Sequence, residues 1–538
     1  MLLAACATHA PAPTAAAPAI TLPTTALTAD QQVQHLLSRA AFGPSAADVA
    51  RVKQLGVASW LDQQLAPGRD EAVETRLSGF PTLKLTVAQA YRAYPPLQQR
   101  AKEAGIDKKA DPEEAKVKLA MLAAENPQAL PRELLIEATQ AKFLRAADSQ
   151  RQLEEVLVDF WFNHFNVSAE KGQVRWMVTA YERDAIRPHV YGRFRDLLEA
   201  TATHPAMLFY LDQWLSTKDG FDPRVLRRGD KLPNKGGKLG LNENYARELL
   251  ELHTLGVDAG YSQDDVREAA RALTGWSIEP RQQHDQFGAF VFRPLAHDDG
   301  EKHVFGLTLP AGGGKSDGEK LLDYLSRHPK TAHHVALKLC QRFVSDEPPP
   351  ELVDRVAKKF LDTDGDLRAT YAEVFTAPEF WSPAAYRSKV KTPFEFVVSA
   401  VRAMGSLESA ELPLGRAMDS LGMPLYRCQP PTGYGNDEKK WVNAGGLVAR
   451  INFGLSLAHG RVRGARVELS GAPMTLDQEV EALGRRLLGE PASAATQQVV
   501  KSAVQPDDDR AVSDGEMHPV NRAMVAGLLL GSPEFQKR

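Results

Sequence analysis

Residues 241–276 run LNENYARELLELHTLGVDAGYSQDDVREAARALTGW, two helices joined by a tight turn. At about 3.6 residues per turn, Asn244, Glu248 and Glu251 share one ridge of the first helix, flanked by Tyr245, Leu252 and Leu255. Carboxylates set among leucine and tyrosine are paired, protonated or chemically employed. Gly256 and Gly260 supply the helix stop and the turn. Ser262 caps the second helix, with Asp264 and Asp265 favourably placed in its first turn.

The same three-four apolar spacing extends in both directions. It predicts helices over 31–41, 45–55, 57–65, 86–104, 113–124, 131–148, 150–165 and 175–190, and again over 318–327, 331–344, 350–363, 367–376 and 392–404. Strand signals are scarce. Phe287–Arg293 and His303–Leu309 alternate around the polar residues 297–302 and predict a hairpin. The expected fold is mainly α, a single large multi-helix body over 31–538 with a small β-hairpin insertion at about 287–309. A serine, alanine or histidine followed by proline recurs at His204-Pro205, Ala377-Pro378 and Ser532-Pro533, which reads as similar helix ends.

Leu3-Ala4-Ala5-Cys6 has the form of a lipobox, in which Cys6 becomes the lipidated first residue. The basic n-region and most of the apolar h-region are missing ahead of it, so the expectation is that Met1 lies inside a longer signal peptide. Residues 7–30 are Ala, Pro and Thr with almost no charge, an expected tether. Alanine rather than aspartate follows the cysteine, which favours the outer membrane where one exists. The expected location is therefore extracytoplasmic, on a lipid anchor. A net charge of −3 gives no general polyanion-binding character, and no nucleic-acid partner is expected. No run of about 18 apolar residues marks a membrane span. Cys340 and Cys428 are available for a disulfide, although their separation makes a weak case. Residues 217–239 are rich in Gly, Lys and Arg, and residues 504–515 are acidic; both read as surface segments.

Further stretches carry a family likeness: residues 36–44 (LLSRAAFGP), 160–165 (FWFNHF), Tyr181-Glu182 with Arg187-Pro188, and residues 204–208 (HPAML). Residues 242–276, His297-Asp298-x-Gly300-x-Lys302, Lys391-x-Pro393-x-Glu395, and Pro431-Thr432-Gly433-Tyr434 with Trp441 extend it. In this order they resemble the bacterial "domain of unknown function 1800" family from about Gln31 to the C-terminus. The resemblance implies a largely helical, extracytoplasmic protein, often encoded beside a sulfatase-like protein that is then a candidate partner. It supplies no catalytic residues to carry over, and it leaves the cofactor unknown.

The chemistry is therefore read from the residues. Glutamates three apart on a helix stand about 5–6 Å apart at Cβ, close enough to repel and split acid from base, as hydrolysis of a glycosidic bond requires. The alternative is that Glu248 and Glu251 each pair with a buried arginine. His164 sits among aromatics, where it and Asn163 either orient a substrate or water or form a hydrogen-bonded core. His297 and His303, beside the polar turn, are candidate metal ligands, alone or with His164 and Glu248; a plain polar turn is the alternative. Tyr434 and Trp441, in a Pro- and Gly-rich loop, either stack on a sugar face or hold the loop. Asn166-Val167-Ser168 fits a glycosylation sequon, which a bacterial-type lipoprotein discounts. Gly312–Ser316 ends like a P-loop but has leucine where the first glycine belongs, and Asp362–Asp366 misplaces the EF-hand glycine.

These residues lead to an expected hydrolase of an envelope or extracellular polymer, with Glu248, Glu251 and His164 catalytic and Asn244, Tyr434 and Trp441 contacting substrate. A non-catalytic binding or assembly partner, or a metal-dependent redox protein, are the other classes the sequence leaves open.

Overall fold

Helices begin where a side-chain oxygen meets their unpaired first-turn amides. Thr28, Thr86, Ser262, Thr392 and Thr475 each accept from the amide three residues on, while Gln31, Gln89, Asp265, Glu395 and Gln478 accept the capping residue's own amide. Each such cap stabilises its helix by about 1 kcal/mol. The structure, a computed structural model, describes residues 20–106, 112–126, 130–222, 240–281, 284–409, 412–471, 474–504 and 521–538. Cys6, most of the basic segment 217–239 and most of the acidic segment 504–515 lie outside the described residues.

The fold is mainly α, with three two-stranded antiparallel sheets among the described residues. One contiguous apolar core extends from Leu27 to Phe535. Helix Gln152–His164 runs through it, with Trp161 fully buried and its indole N–H donating to the Tyr371 hydroxyl at 2.5 Å. Helix Pro329–Phe343 lies beside its C-terminal end, where the His164 and His334 rings are 6.1 Å apart. The body starts earlier than the expected tether end: Leu27 is buried and the Thr25 hydroxyl donates to the Trp381 carbonyl. No helix among the described residues is long and apolar enough to cross a membrane.

The stretch 241–276 forms two helical segments with the turn in place. Ser262 and Asp265 build the predicted cap of helix Gln263–Leu273, and Gly256 and Gly260 both take φ +91°. The first segment departs from a regular ridge. It is α-helical only over Asn244–Glu248 and continues as a π turn over Leu249–His253, where the Thr254 hydroxyl donates to the Leu249 carbonyl at 2.6 Å. A second π turn, Tyr181–Ile186, interrupts the helix expected over 175–190. The helix expected over 86–104 splits into Val87–Ala93 and Leu97–Glu103 around Pro95 and Pro96, which cannot donate helical hydrogen bonds.

The predicted hairpin is corrected. Phe290–Phe292 pairs with Trp276–Ile278, and Lys302–Val304 pairs with Leu307–Leu309, so the two alternating runs never meet. Phe305 at φ 45° and Gly306 at φ 91° make a two-residue turn, which closes the second strand on itself before it can reach the first. The His-Pro and Ser-Pro steps are helix starts rather than ends: His204 and Ser532 cap helices Pro205–Tyr210 and Pro533–Gln536, with proline at the first position where no N–H is needed.

Candidate functional site

Helix Gln152–His164 carries Asp159 and Asn163, and Phe160 and His164, at four-residue spacing, so that all four reach one side. Helix Pro329–Phe343 faces them with Lys338, Gln341 and Arg342, and Leu252 enters from the π turn. Residues between Met423 and Trp441 close a third side. The enclosed cavity has a volume of about 690 Å³.

The closing loop is fixed from below. The Asn163 amide donates to the Tyr434 carbonyl at 2.9 Å while its oxygen accepts the Tyr434 N–H at 2.8 Å. Asn166 donates to the carbonyls of Cys428 and Pro430, and it is buried, so the sequon is a structural asparagine. Gly433 has φ +68°, and a Cβ there would stand 2.4 Å from the Asn163 carbonyl oxygen. Only glycine fits that approach. The Tyr434 hydroxyl donates to Pro424 and the Trp441 indole to Gly435, which leaves ring surface for the cavity.

Three of the charged side chains lining the cavity are matched, whereas Lys338, Asp437 and Lys440 have no ion pair among the described residues. Asp159 pairs with buried Lys142 at 3.0 Å, Asp346 with Lys389, and Arg342 with Glu395. Burial opposes the charge on Glu395, but Arg342 and Arg538 outweigh it and hold the carboxyl down at about 2. Lys338 differs. It is half-buried, has no carboxylate within ion-pair distance among the described residues, and desolvation lowers its pKa. Gln341 makes no side-chain hydrogen bond among the described residues.

His164 is buried, and its pKa is pushed well below 6.5 by desolvation, then by His334, Lys338 and His253. Its Nε2 lies 3.2 Å from the His253 carbonyl oxygen. A carbonyl only accepts, so the neutral ring carries its proton on Nε2 and keeps a lone pair on Nδ1. Nδ1 has no hydrogen bond from the described residues. His334 and His253 are likewise depressed, to about 4 and about 3, burial being the first cause in each.

Of the residues expected from sequence, His164, Tyr434 and Trp441 meet at this cavity. Asn244, Glu248 and Glu251 do not line it. Asn244 is exposed; Glu248 is half-buried, its pKa raised by desolvation and by Glu251. Neither glutamate has an arginine partner within ion-pair distance among the described residues; Glu251 accepts a long 3.4 Å bond from the Tyr261 hydroxyl. The two carboxylates are thus coupled like charges. His297 and His303 are not brought together. The His297 side chain is 0 % exposed, held by Thr274 and Asp317, whereas that of His303 is 65 % exposed beside Glu301. Their strand and loop carry them to opposite environments. No group of three or more His, Cys, Asp or Glu among the described residues is arranged to hold a metal ion. Cys340 and Cys428 are both free and buried. The EF-hand-like acids serve the fold: Asp364 binds Arg193 and Arg327, and Asp366 caps helix Leu367–Phe375.

A family model matches residues 35–537. The chain belongs to the family described as "Protein of unknown function (DUF1800)". No curated protein and no solved structure matches it. The DUF1800-like motifs divide by role in this structure. His297, Asp298 and Lys302 build a buried network in which Lys302 binds Asp317 at 2.7 Å and Asp298 binds Arg271 at 2.8 Å. Glu182 and Arg187 join Glu155 and Lys142 in a second network, and Glu395 neutralises Arg342 in a third. Residues 160–165 and 431–441 of this DUF1800 chain instead converge on the cavity. Lys338 and Gln341 escaped the sequence reading; the available signal was a lysine between Leu337 and Leu339, one turn after His334.

Proposed function

We propose that this protein is an extracytoplasmic, lipid-anchored hydrolase of an envelope or extracellular polymer, and that it works in the cavity beneath the 423–441 loop. The observation that carries this reading is His164: a neutral imidazole whose Nδ1 lone pair is free of the described residues, lining a cavity beside an ammonium that has no counter-ion among them. A positioned lone pair takes a proton from an attacking water. A nearby cation stabilises the negative charge that develops on the attacked group. Phe160, Tyr434 and Trp441 supply ring faces for a sugar or similar segment. The Glu248/Glu251 pair, outside the cavity, takes no part in the step.

The test is release of soluble product from purified envelope polymer by the protein and by His164→Asn. Release that falls at least tenfold in a folded variant supports the reading; equal release from both removes His164 from the mechanism. Growth with labelled fatty acid, comparing wild type with Cys6→Ser, tests the anchor.

A second reading is favoured by one surface feature. Val442, Leu447 and Val448, next to Trp441, are large apolar side chains left exposed, Val448 by 57 %. Such a patch suits a protein partner, as a non-catalytic assembly role requires. Co-purification of a stoichiometric partner, lost on Val448→Asp, distinguishes it.

A further inference from the structure

We infer that the cavity recognises an anionic group, a carboxylate or a sulfate or phosphate ester carried on the polymer segment, and that Lys338 is its counter-ion. The inference rests on the cavity being the working site. It adds the chemical class of what enters.

The argument begins with pairing. Around the cavity Asp159, Asp346 and Glu395 are each consumed by a cation of the protein, while Asp437, on the closing loop with Lys440, has no cation within ion-pair distance among the described residues. Of the two lining cations withdrawn from solvent, Arg342 has Glu395, and Lys338 has no acid within ion-pair distance among the described residues. A half-buried ammonium without a counter-ion is costly, and the cavity has room for a ligand to provide one. Gln341, one turn along the same helix, brings an uncommitted amide to the same wall. Lys440 stands exposed on the closing loop.

The layer behind the wall adds to the same field. Arg39 is fully buried and, among the described residues, bonds only neutral groups: the Phe343 and Ala385 carbonyls and the Ser388 hydroxyl. Lys391 lies 3.7 Å from the Phe535 ring centroid and Arg450 bonds Gln536 and the Lys391 carbonyl, and neither has a carboxylate within ion-pair distance among the described residues. Burial and mutual repulsion depress this group: Lys391 to about 7, Lys389 to about 8 and Arg538 to about 9. Glu395 and Asp346 are the acids set among them. The wall that carries Lys338 is therefore backed by more buried cations than acids, which favours an anion on that side of the cavity, away from Asp437. Phe160, Tyr434 and Trp441 place apolar ring faces beside that charge, the combination an acidic sugar presents in complement.

The test measures stabilisation and binding at fixed ionic strength, by thermal shift and calorimetry. The probes are glucuronate, glucose 6-sulfate, glucose 6-phosphate and glucose, with oligogalacturonate and neutral dextran as the polymer forms. The expected result is binding of at least one anionic probe over its neutral counterpart, weakened by salt and reduced about 10- to 100-fold in Lys338→Gln, the span of a charged hydrogen bond. The carboxylate, sulfate and phosphate arms separate the sources. Phe160→Ala reports on the cavity itself without touching the charge. Three results overturn the inference: no anionic probe binds the wild type; Lys338→Gln binds anions as tightly as wild type, which marks adventitious ions only; or glucose or dextran binds as well as the acids. In the last case, loss of neutral binding in Phe160→Ala keeps the cavity as the working site while removing the anion.

Discussion

Glu395→Gln should destabilise the protein at neutral pH while leaving its helix cap intact. Glu395 accepts the Thr392 N–H at 2.9 Å, a role glutamine oxygen can fill, and it also faces Arg342 and, at 3.2 Å, Arg538. The substitution thus removes charge with little change of shape and leaves two buried guanidinium groups without their acid. The carboxyl is held at about 2 against an ordinary 4.5. At about 1.4 kcal/mol per unit, that difference corresponds to about 3 kcal/mol, matching the roughly 3–5 kcal/mol expected for breaking a buried pair. With an unfolding entropy of about 2.1 cal/mol/K per residue, a chain of 538 residues unfolding as one unit should lose about 3 °C of melting temperature. The sign with pH follows from the depressed carboxyl: its stabilisation is complete above about 4.5 and disappears as pH falls toward about 2. Scanning calorimetry at pH 7 and at steps down to pH 3 should show a gap between wild type and variant that narrows on acidification. A variant that melts with the wild type at pH 7, or a gap that does not narrow, refutes the ion-pair reasoning.

Three other outcomes follow from the same geometry. Glu248→Gln relieves a like-charge pair, so its melt at pH 7 should equal or slightly exceed wild type, by at most about 0.5 kcal/mol; a large fall would reveal a partner for Glu248. Gly433→Ala drives a Cβ toward the Asn163 carbonyl from a positive φ, so calorimetry should show a loss of about 1–3 kcal/mol and binding in the cavity should weaken with it. Because burial and basic neighbours keep His164 neutral well below 6.5, hydrolysis should stay flat through pH 6.5 and fall only at more acid pH; a limb centred near 6.5 would assign the base elsewhere.

What the sequence made legible was local. Cap residues such as Ser262 with Asp265, and the three-four spacing of helix Gln152–His164, act within a few residues and so appear in the order of letters. The β pairing was not local: Trp276–Ile278 takes Phe290–Phe292 because Phe305-Gly306 closes the later strand first, and Phe-Gly is a faint turn signal beside Asn-Gly. The π turn at Leu249–His253 breaks the 3.6 period that placed Asn244, Glu248 and Glu251 on one ridge. The site was half legible. His164, Tyr434 and Trp441 stood out as unusual residues in unusual settings, but Lys338 looks like any helical lysine until the fold shows that no acid among the described residues meets it.

The most direct measurement compares product release from purified envelope polymer by wild type, His164→Asn, Lys338→Gln and the double variant Glu248→Gln/Glu251→Gln, each verified as folded by its melt. The account predicts that the two cavity variants lose at least tenfold while the double variant keeps wild-type release. Loss in the double variant with release retained by His164→Asn would contradict it, and would return the chemistry to the acid pair on the 241–276 stretch.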